Sequence, residues 1–235
     1  MIKEIDLFGD GIGKVSLVDS IGTDKTIVNS ARVSFGRDNH GELVEKDKKL
    51  IKYLISHKHT STLEHNVATF MFEVPLYIRA QHMRHRTWSY NEISRRYTQV
   101  DLKFYEPTQF RTQHKSNRQA SNEMDLIDPT ITPRFADTYI ASSKAVKAFH
   151  EHSLDLFNHL IEKGVCREQA RGVLPQNLYT RYYGTTNLNN LLKFIDLRLH
   201  EGAQWEIQQV AKACLEIAED LWPFTVGAYR ELRGT

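Results

Sequence analysis

Between Arg79 and Tyr97 stand Arg79, Arg84, Arg86, Arg95 and Arg96 against one acid, Glu92, with His82 and His85 interleaved. The segment is net +4 in a chain whose 31 basic and 29 acidic side chains leave +2 overall, so the remainder is net −2 and cationic charge is concentrated here. A basic run is ordinarily a solvated face. Three features point instead to a binding surface. Every cation is an arginine, whose planar fork pairs bidentately with phosphate and carboxylate. Arg84 and Arg86, two apart, cannot share a helical face, so the stretch must leave helical geometry or address two ligands. Ser89, Asn91, Glu92 and Ser94 add short hydrogen-bonding groups of the kind that read a polar heterocycle. The expected ligand is anionic, planar and hydrogen-bonding, and a nucleotide meets all three demands.

Other residues able to do chemistry fall away on spacing. Ser94 has only Glu92 and arginines as titratable neighbours in sequence, with no histidine placed as a base, so hydrogen bonding to the ligand is expected rather than covalent catalysis. His57, His59 and His65 invite a metal, yet there is no H-E-x-x-H and no acid that completes a facial set, so no metal site is expected. His150 and His152 read as helix-surface residues. Cys166 and Cys214 lack C-x-x-C spacing and read as structural, which suits a reducing, cytoplasmic setting.

The elements that must carry these groups are partly readable. The turn Gly9-Asp10-Gly11-Ile12-Gly13 leads into a strand over Lys14 to Ile21. It is no phosphate loop, because Phe8 stands where the first glycine is needed and Val15 where Ser or Thr is needed, and its glycines do not form a dinucleotide fingerprint. Leu50, Ile51, Leu54 and Ile55 give a helix over Lys48 to His57. Val67 to Val74 alternates Ala68, Phe70, Phe72 and Val74 against Thr69, Met71 and Glu73, a strand closed by Pro75. A helix is expected from Leu76 to Arg86. Gln109 to Pro133 is polar and aperiodic and reads as a mobile loop or insertion. Phe135 to Lys163, with Tyr139, Val146, Phe149, Leu156, Leu160 and Ile161, reads as a long amphipathic helix or two consecutive ones ending at Gly164. Shorter helices are expected over Val165 to Val173, Asn187 to Arg198 and Ala203 to Leu221, the last closed by Trp222-Pro223.

Composition excludes several classes. The chain has 235 residues, 40% hydrophobic and 26% charged, enough for a core and unlike disordered composition. Net charge of +2 is too small for a tail-driven nucleic-acid binder. No apolar run approaches the ~20 residues of a membrane span, and the N-terminus lacks the pattern of a secretory signal.

Arg84-His85-Arg86, then seven residues, then Ser94 resembles the R-H-R-x7-S motif of the flavin-dependent thymidylate synthases, and Tyr90-Asn91-Glu92 with Arg96-Tyr97 extends the match. His57-x-His59 with Glu64-His65, Arg171 followed by Leu174-Pro175-x-Asn177-Leu178-Tyr179, and Leu197-Arg198 leading into Ala203-Gln204-Trp205-Glu206-Ile207 follow in the expected order. The resemblance implies a single domain over 1–235, of α/β (α+β) class, with helices packed around a mainly antiparallel sheet in a thymidylate synthase-complementing-protein-like fold. It implies conversion of dUMP to dTMP with 5,10-methylenetetrahydrofolate as carbon donor and NADPH as reductant through bound FAD. No cysteine nucleophile is involved. FAD would be held by Ser61, Arg84, His85, Arg86, Glu92, Asn187 and Asn189. The nucleotide would lie against Gln81, His82, Met83, Arg84, Glu92, Ile93, Ser94, Arg95, Arg96, Arg171 and Arg198, reached partly from neighbouring subunits of a homotetramer. Arg198 is the expected catalytic residue, a guanidinium that stabilises charge developing on the uracil ring. Lys193, Gly202 and Thr62 depart from the family's usual asparagine, histidine and proline.

Two readings from other classes stand beside this one. The arginine segment, with Trp88, Tyr90 and Tyr97 as stacking platforms, would make a nucleic-acid-binding stripe. The His57 to His65 cluster would make a metal-dependent nucleotide hydrolase.

Overall fold

The strand that the sequence marks most clearly lies at the centre of the sheet. In the computed structural model, which describes residues 3–37, 41–100, 102–134 and 137–234, β1 (Glu4–Asp6) and β2 (Lys14–Ile21) form a hairpin and α1 (Asp24–Arg32) and α2 (Glu45–Ser56) follow. A 3-10 segment, Thr60–His65, leads into β3 (Val67–Pro75), then α3 (Leu76–His82) and β4 (Ser89–Glu92). Next come β5 (Phe110–Gln113), β6 (Ser121–Ile127), β7 (Thr130–Ile131) and β8 (Ile140–Ala141). The chain ends with α4 (Ser142–Glu162), α5 (Arg167–Ala170), β9 (Tyr179–Asn187), α6 (Leu188–Arg198), α7 (Trp205–Leu221) and α8 (Pro223–Arg233). The main sheet runs β1-β2-β3-β9-β4 with every pairing antiparallel. Mixed helix and antiparallel sheet is the expected architecture.

The alternation of β3 decides which face is covered. Ala68, Phe70, Phe72 and Val74 are fully buried under α6 and α7, which bring Leu191, Phe194, Ile207, Val210, Ala211 and Cys214 into the same core. The other face keeps Thr69 hydrogen-bonded to Thr185 across the β3–β9 pair at 2.9 Å, and Glu73 accepting from Arg181 at 2.9 Å. On β9, Gly184 is a packing requirement: a Cβ there would lie 2.9 Å from Phe72 and 3.2 Å from Trp88. The Gly9–Gly13 turn is turn chemistry, as expected. The Asp10 carboxylate accepts from the amides of Ile12 and Gly13 at 2.9 Å each, and Leu7 N–H donates to Gly13 C=O at 2.8 Å.

The two ends of the chain are tied together. Asp24 accepts from the amides of Phe224 and Thr225 at 3.1 and 2.9 Å, capping the positive end of α8, and Trp222 Nε1–H donates to Gly22 C=O at 3.0 Å. Asn187 caps α6 by accepting from Asn190 N–H at 3.0 Å.

Several expectations are corrected. The α3 helix stops at His82 instead of Arg86. The β5–β6 hairpin occupies most of Gln109 to Pro133, so that segment carries paired strands. The long helix starts at Ser142; the expected start at Phe135 lies outside the described residues. Its buried side chains are Ala145, His150, Ser153 and Phe157, while Tyr139 before it and Phe149 and Leu156 on it are exposed. His150 is therefore a core group, stacked on Phe104 with Nδ1 3.0 Å from Glu106, while His152 is exposed as expected. Among the described residues no helix is long and apolar enough to cross a membrane.

Candidate functional site

At the end of α3 the chain leaves the helix by overlapping turns, with amide-to-carbonyl bonds from Arg84 to Gln81, from His85 to His82 and from Trp88 to His85 at 3.0 to 3.3 Å. Those turns do what the spacing of Arg84 and Arg86 demands. Both side chains are exposed, and among the described residues neither makes an ion pair or side-chain hydrogen bond. His82 is buried at the end of α3, and His85, between the two arginines, is half-buried. The Arg79-to-Tyr97 segment then continues into β4, which pairs with β9 through Glu92↔Tyr182.

Beyond β4 the backbone lines a cavity of about 530 Å³, a size suited to a small ligand. Glu92, Ile93, Ser94, Arg95 and Arg171 face it together, joined by Arg79, Glu168 and Thr180. Glu92 is held from two sides: Arg79 Nε donates to Oε2 at 2.9 Å with Nη2 on the same oxygen, and Thr180 Oγ1 donates to Oε1 at 2.7 Å. Arg95 donates to the main-chain carbonyls of Val100 at 2.5 Å and Tyr179 at 3.2 Å, which ties down the loop after β4. Ser94 Oγ accepts from the amide of Arg96 at 3.3 Å. Arg96 is exposed, 3.5 Å from Glu168 and over the ring of Tyr97. Arg171, on the 3-10 turn after α5, has no ion pair among the described residues.

A second group sits where α3 and α6 end. Arg198 Nε donates to His85 Nε2 at 3.0 Å, and Nη2 donates to the main-chain oxygen of Gln81 at 3.1 Å. Burial, and then the charge of Arg198, push His85 down to about 4, so near neutrality its Nε2 is an unprotonated acceptor. Burial lowers the Arg198 guanidinium as well. Gln81 Nε2 donates to Gln204 at 2.5 Å. Met83 is the half-buried residue that closes α3.

The third group surrounds the other end of α6. Ser61 is exposed on the 3-10 segment, Asn187 caps the helix, and Asn189 Nδ2 donates to Glu64 at 2.9 Å. Asn189 also lines a second cavity of about 440 Å³ with Lys58 and Lys193. Eleven residues at ~1.5 Å each put roughly 16 Å between this group and Arg198. A single chain thus brings the expected residues into three groups and does not merge them.

The His82 side chain faces the core. It is fully buried, its Nδ1 lies 2.8 Å from Tyr182 Oη, and its ring packs against Phe72, Trp88 and Phe194. Burial holds it neutral. The competing readings lose their parts. Trp88 is buried and Tyr90 is partly buried with its Oη donating to the carbonyls of His82 and His85, so of the three stacking platforms only Tyr97 is fully exposed. Among the described residues no three His, Cys, Asp or Glu side chains gather as a metal would require; His57 instead stacks on Tyr53 at 4.0 Å. Sequence reasoning passed over Arg79 as a partner for Glu92, and Gln204 and Glu206 as partners near Gln81. The first signal was one acid set among arginines, and the second was the polar pair flanking Trp205.

The donor set suits the group that the resemblance implies. Exposed, unpaired Arg84 and Arg86 fit a diphosphate, and Asn187 and Asn189 add amides at a helix N-terminus.

A family model described as "Thymidylate synthase complementing protein" matches residues 16–224. A flavin-dependent thymidylate synthase of Thermus thermophilus is 43% identical over 219 residues, spanning 93% of this chain and 76% of the relative. One of Thermotoga neapolitana is 39% identical over 220 residues, spanning 92% and 90%. Among solved structures, a UMP/dUMP methylase PolB from Streptomyces cacaoi bound with 5-Br dUMP superposes with a TM-score of 0.78 at 31% identity, covering 97% of each chain. With Ser94 of the arginine motif at a cavity and the match spanning almost the whole length, the chain belongs to the thymidylate synthase complementing protein family, alongside the flavin-dependent thymidylate synthases it resembles.

Proposed function

We propose that this protein methylates dUMP at C5 to give dTMP, with 5,10-methylenetetrahydrofolate as carbon donor, NADPH as reductant and FAD as bound cofactor. The overall change balances: the folate methylene becomes the new methyl group, NADPH supplies the hydride, the C5 proton and one proton from solvent go to the folate nitrogens, and tetrahydrofolate and NADP⁺ leave. The observation that carries the reading is the cavity beyond β4, where Ser94 and an unpaired Arg171 stand beside a braced Glu92 in a family member. Arg171 and Arg96 suit the nucleotide phosphate, and Ser94 and Glu92 suit its hydroxyls and amide groups.

Arg198 is the residue that would act on the base. Its partners are two neutral acceptors, His85 and a carbonyl, so its charge is oriented without being cancelled. A guanidinium held in that way at the uracil edge stabilises negative charge as the ring is activated. A thiolate route has little to use. Cys214 is sealed in the core with its thiol pushed far up by burial, and Cys166 is not among the residues facing the cavity. The flavin, when bound, would carry the reducing equivalents of NADPH into the methylation. Ser61, Arg84, His85, Arg86, Glu92, Asn187 and Asn189 would hold it.

The separation of the three groups in one chain supports a site completed by other copies, and we read the active form as a homotetramer. The test is a visible spectrum of the protein with FAD, followed by dTMP formation from dUMP, methylenetetrahydrofolate and NADPH, with mass in solution from light scattering. Flavin bands bleached by NADPH, dTMP production and a fourfold mass support it. A colourless protein that takes up no FAD and makes no dTMP overturns it.

A further inference from the structure

The β5–β6 hairpin, which the sequence left without a role, reaches the Arg198 end of the site through a chain of side chains with a fixed direction. Arg111 on β5 donates from Nε to Ser121 on β6 at 3.0 Å and from Nη2 to Glu206 Oε1 at 2.5 Å, while its guanidinium lies 4.9 Å over the Trp205 ring. Glu206, in the first turn of α7, is only 4% exposed. Gln204 Nε2 donates to Glu206 Oε2 at 2.9 Å, and Gln81 Nε2 donates to Gln204 Oε1 at 2.5 Å. The main-chain oxygen of Gln81 is one of the two seats of Arg198.

Chemistry dictates the order. A carboxylate paired with arginine only accepts, so Gln204 must turn its amide nitrogen toward Glu206. That leaves the Gln204 oxygen for Gln81, which must in turn point its own nitrogen inward. Gln81 Oε1 is then the end directed away from α7, and among the described residues it has no partner. Swapping any one amide end for the other would set two donors or two acceptors face to face, which a buried network resists.

We propose that Arg111 and Glu206 are positioning residues of the nucleotide site. Their ion pair sets the polarity of the Gln204–Gln81 relay, so that Gln81 offers an acceptor to an N–H or O–H of the nucleotide and its carbonyl stays under Arg198. The inference rests on the reading above that Gln81 and Arg198 face dUMP. It makes the hairpin part of the active site.

The test uses FAD-loaded enzyme with dUMP varied. Glu206→Gln keeps shape and removes the fixed polarity; a rise in KM for dUMP of about tenfold, with kcat within about threefold, is expected. In a Gln81→Ala background the same change should add less than about twofold, because the relay no longer has an end to orient. Arg111→Gln, at the more accessible end, should behave alike, which keeps the proposal testable where Glu206→Gln folds poorly. Arg111→Lys, retaining the charge, should recover most of the affinity. A loss of kcat and thermal stability with KM unchanged, or a KM effect that persists in full without Gln81, overturns the relay. Wild-type enzyme that binds no FAD and makes no dTMP overturns the reading beneath it instead.

Discussion

His85 should be neutral throughout the working range of this protein, and the consequence is measurable. Burial first and Arg198 second bring its folded value from 6.5 to about 4. Between those values the unfolded chain binds a proton that the folded chain refuses, so stability rises with pH across this window and is lost as pH falls from 6.5 to about 4. Each pKa unit corresponds to ~1.4 kcal/mol, and because the ring is only half buried the full conversion must be discounted, leaving about 1–2 kcal/mol. Protonation also removes the acceptor of Arg198 Nε and sets two cations 3.0 Å apart. His85→Gln keeps an acceptor but cannot titrate. Chemical denaturation of both proteins at pH 4.5, 5.5 and 7.5 should show wild type losing about 1–2 kcal/mol more than His85→Gln on acidification. The histidine ring signals followed by NMR should show no titration at His85 down to pH 5. Parallel pH dependence in the two proteins, or a His85 midpoint near 6.5, refutes the reasoning.

Three further outcomes follow from the same geometry. Arg171→Ala removes a charge-assisted contact worth ~1.5–3 kcal/mol, so KM for dUMP should rise roughly 10- to 100-fold with an unchanged melting temperature in steady-state and thermal assays. Gly184→Ala places a methyl 2.9 Å from Phe72 Cε2 and should lower stability by about 1–3 kcal/mol in denaturant titrations. Asp24→Ala strips the cap from α8 and should lower stability by about 1–2 kcal/mol, with faster amide exchange at Phe224 and Thr225 as its local signature.

What was legible in the sequence was legible for identifiable reasons. The strand over Val67 to Val74 buries one face completely, so its hydropathy alternates and the period of two is plain. Its partner over Tyr179 to Asn187 buries Thr180, Tyr182, Gly184 and Thr186, where the inward positions are small or polar and alternate in exposure but not in hydropathy. No period marked it. The β5–β6 hairpin was hidden similarly, since most of its residues are exposed on both faces and nothing apolar repeats. The helix expected over Leu76 to Arg86 runs one turn past the observed end at His82, and the two-residue spacing of Arg84 and Arg86 is the signal that the chain leaves helical geometry there. His85 and Arg198 lie 113 residues apart, as do no local motif's members, and their pairing exists only in the fold. His82 and His85 look alike in sequence. His82 ends α3 with its ring in the core, and the turns that follow leave His85 at the edge of the site.

The arginines divide by what they meet, and the division sets the field of the site. Arg79 is cancelled by Glu92. Arg198 is held by neutral acceptors, the His85 imidazole and a carbonyl, so it is fixed in place while keeping its charge. Arg84, Arg86 and Arg171 are held by no ion pair among the described residues. Fixing a cation with carbonyls costs it no charge, whereas fixing it with a carboxylate would remove the field it exerts on a ligand. With Arg79 paired to Glu92 and Arg96 beside Glu168, Arg171 and Arg198 still leave positive potential at the site, which favours entry of a dianionic nucleotide and weakens with added salt.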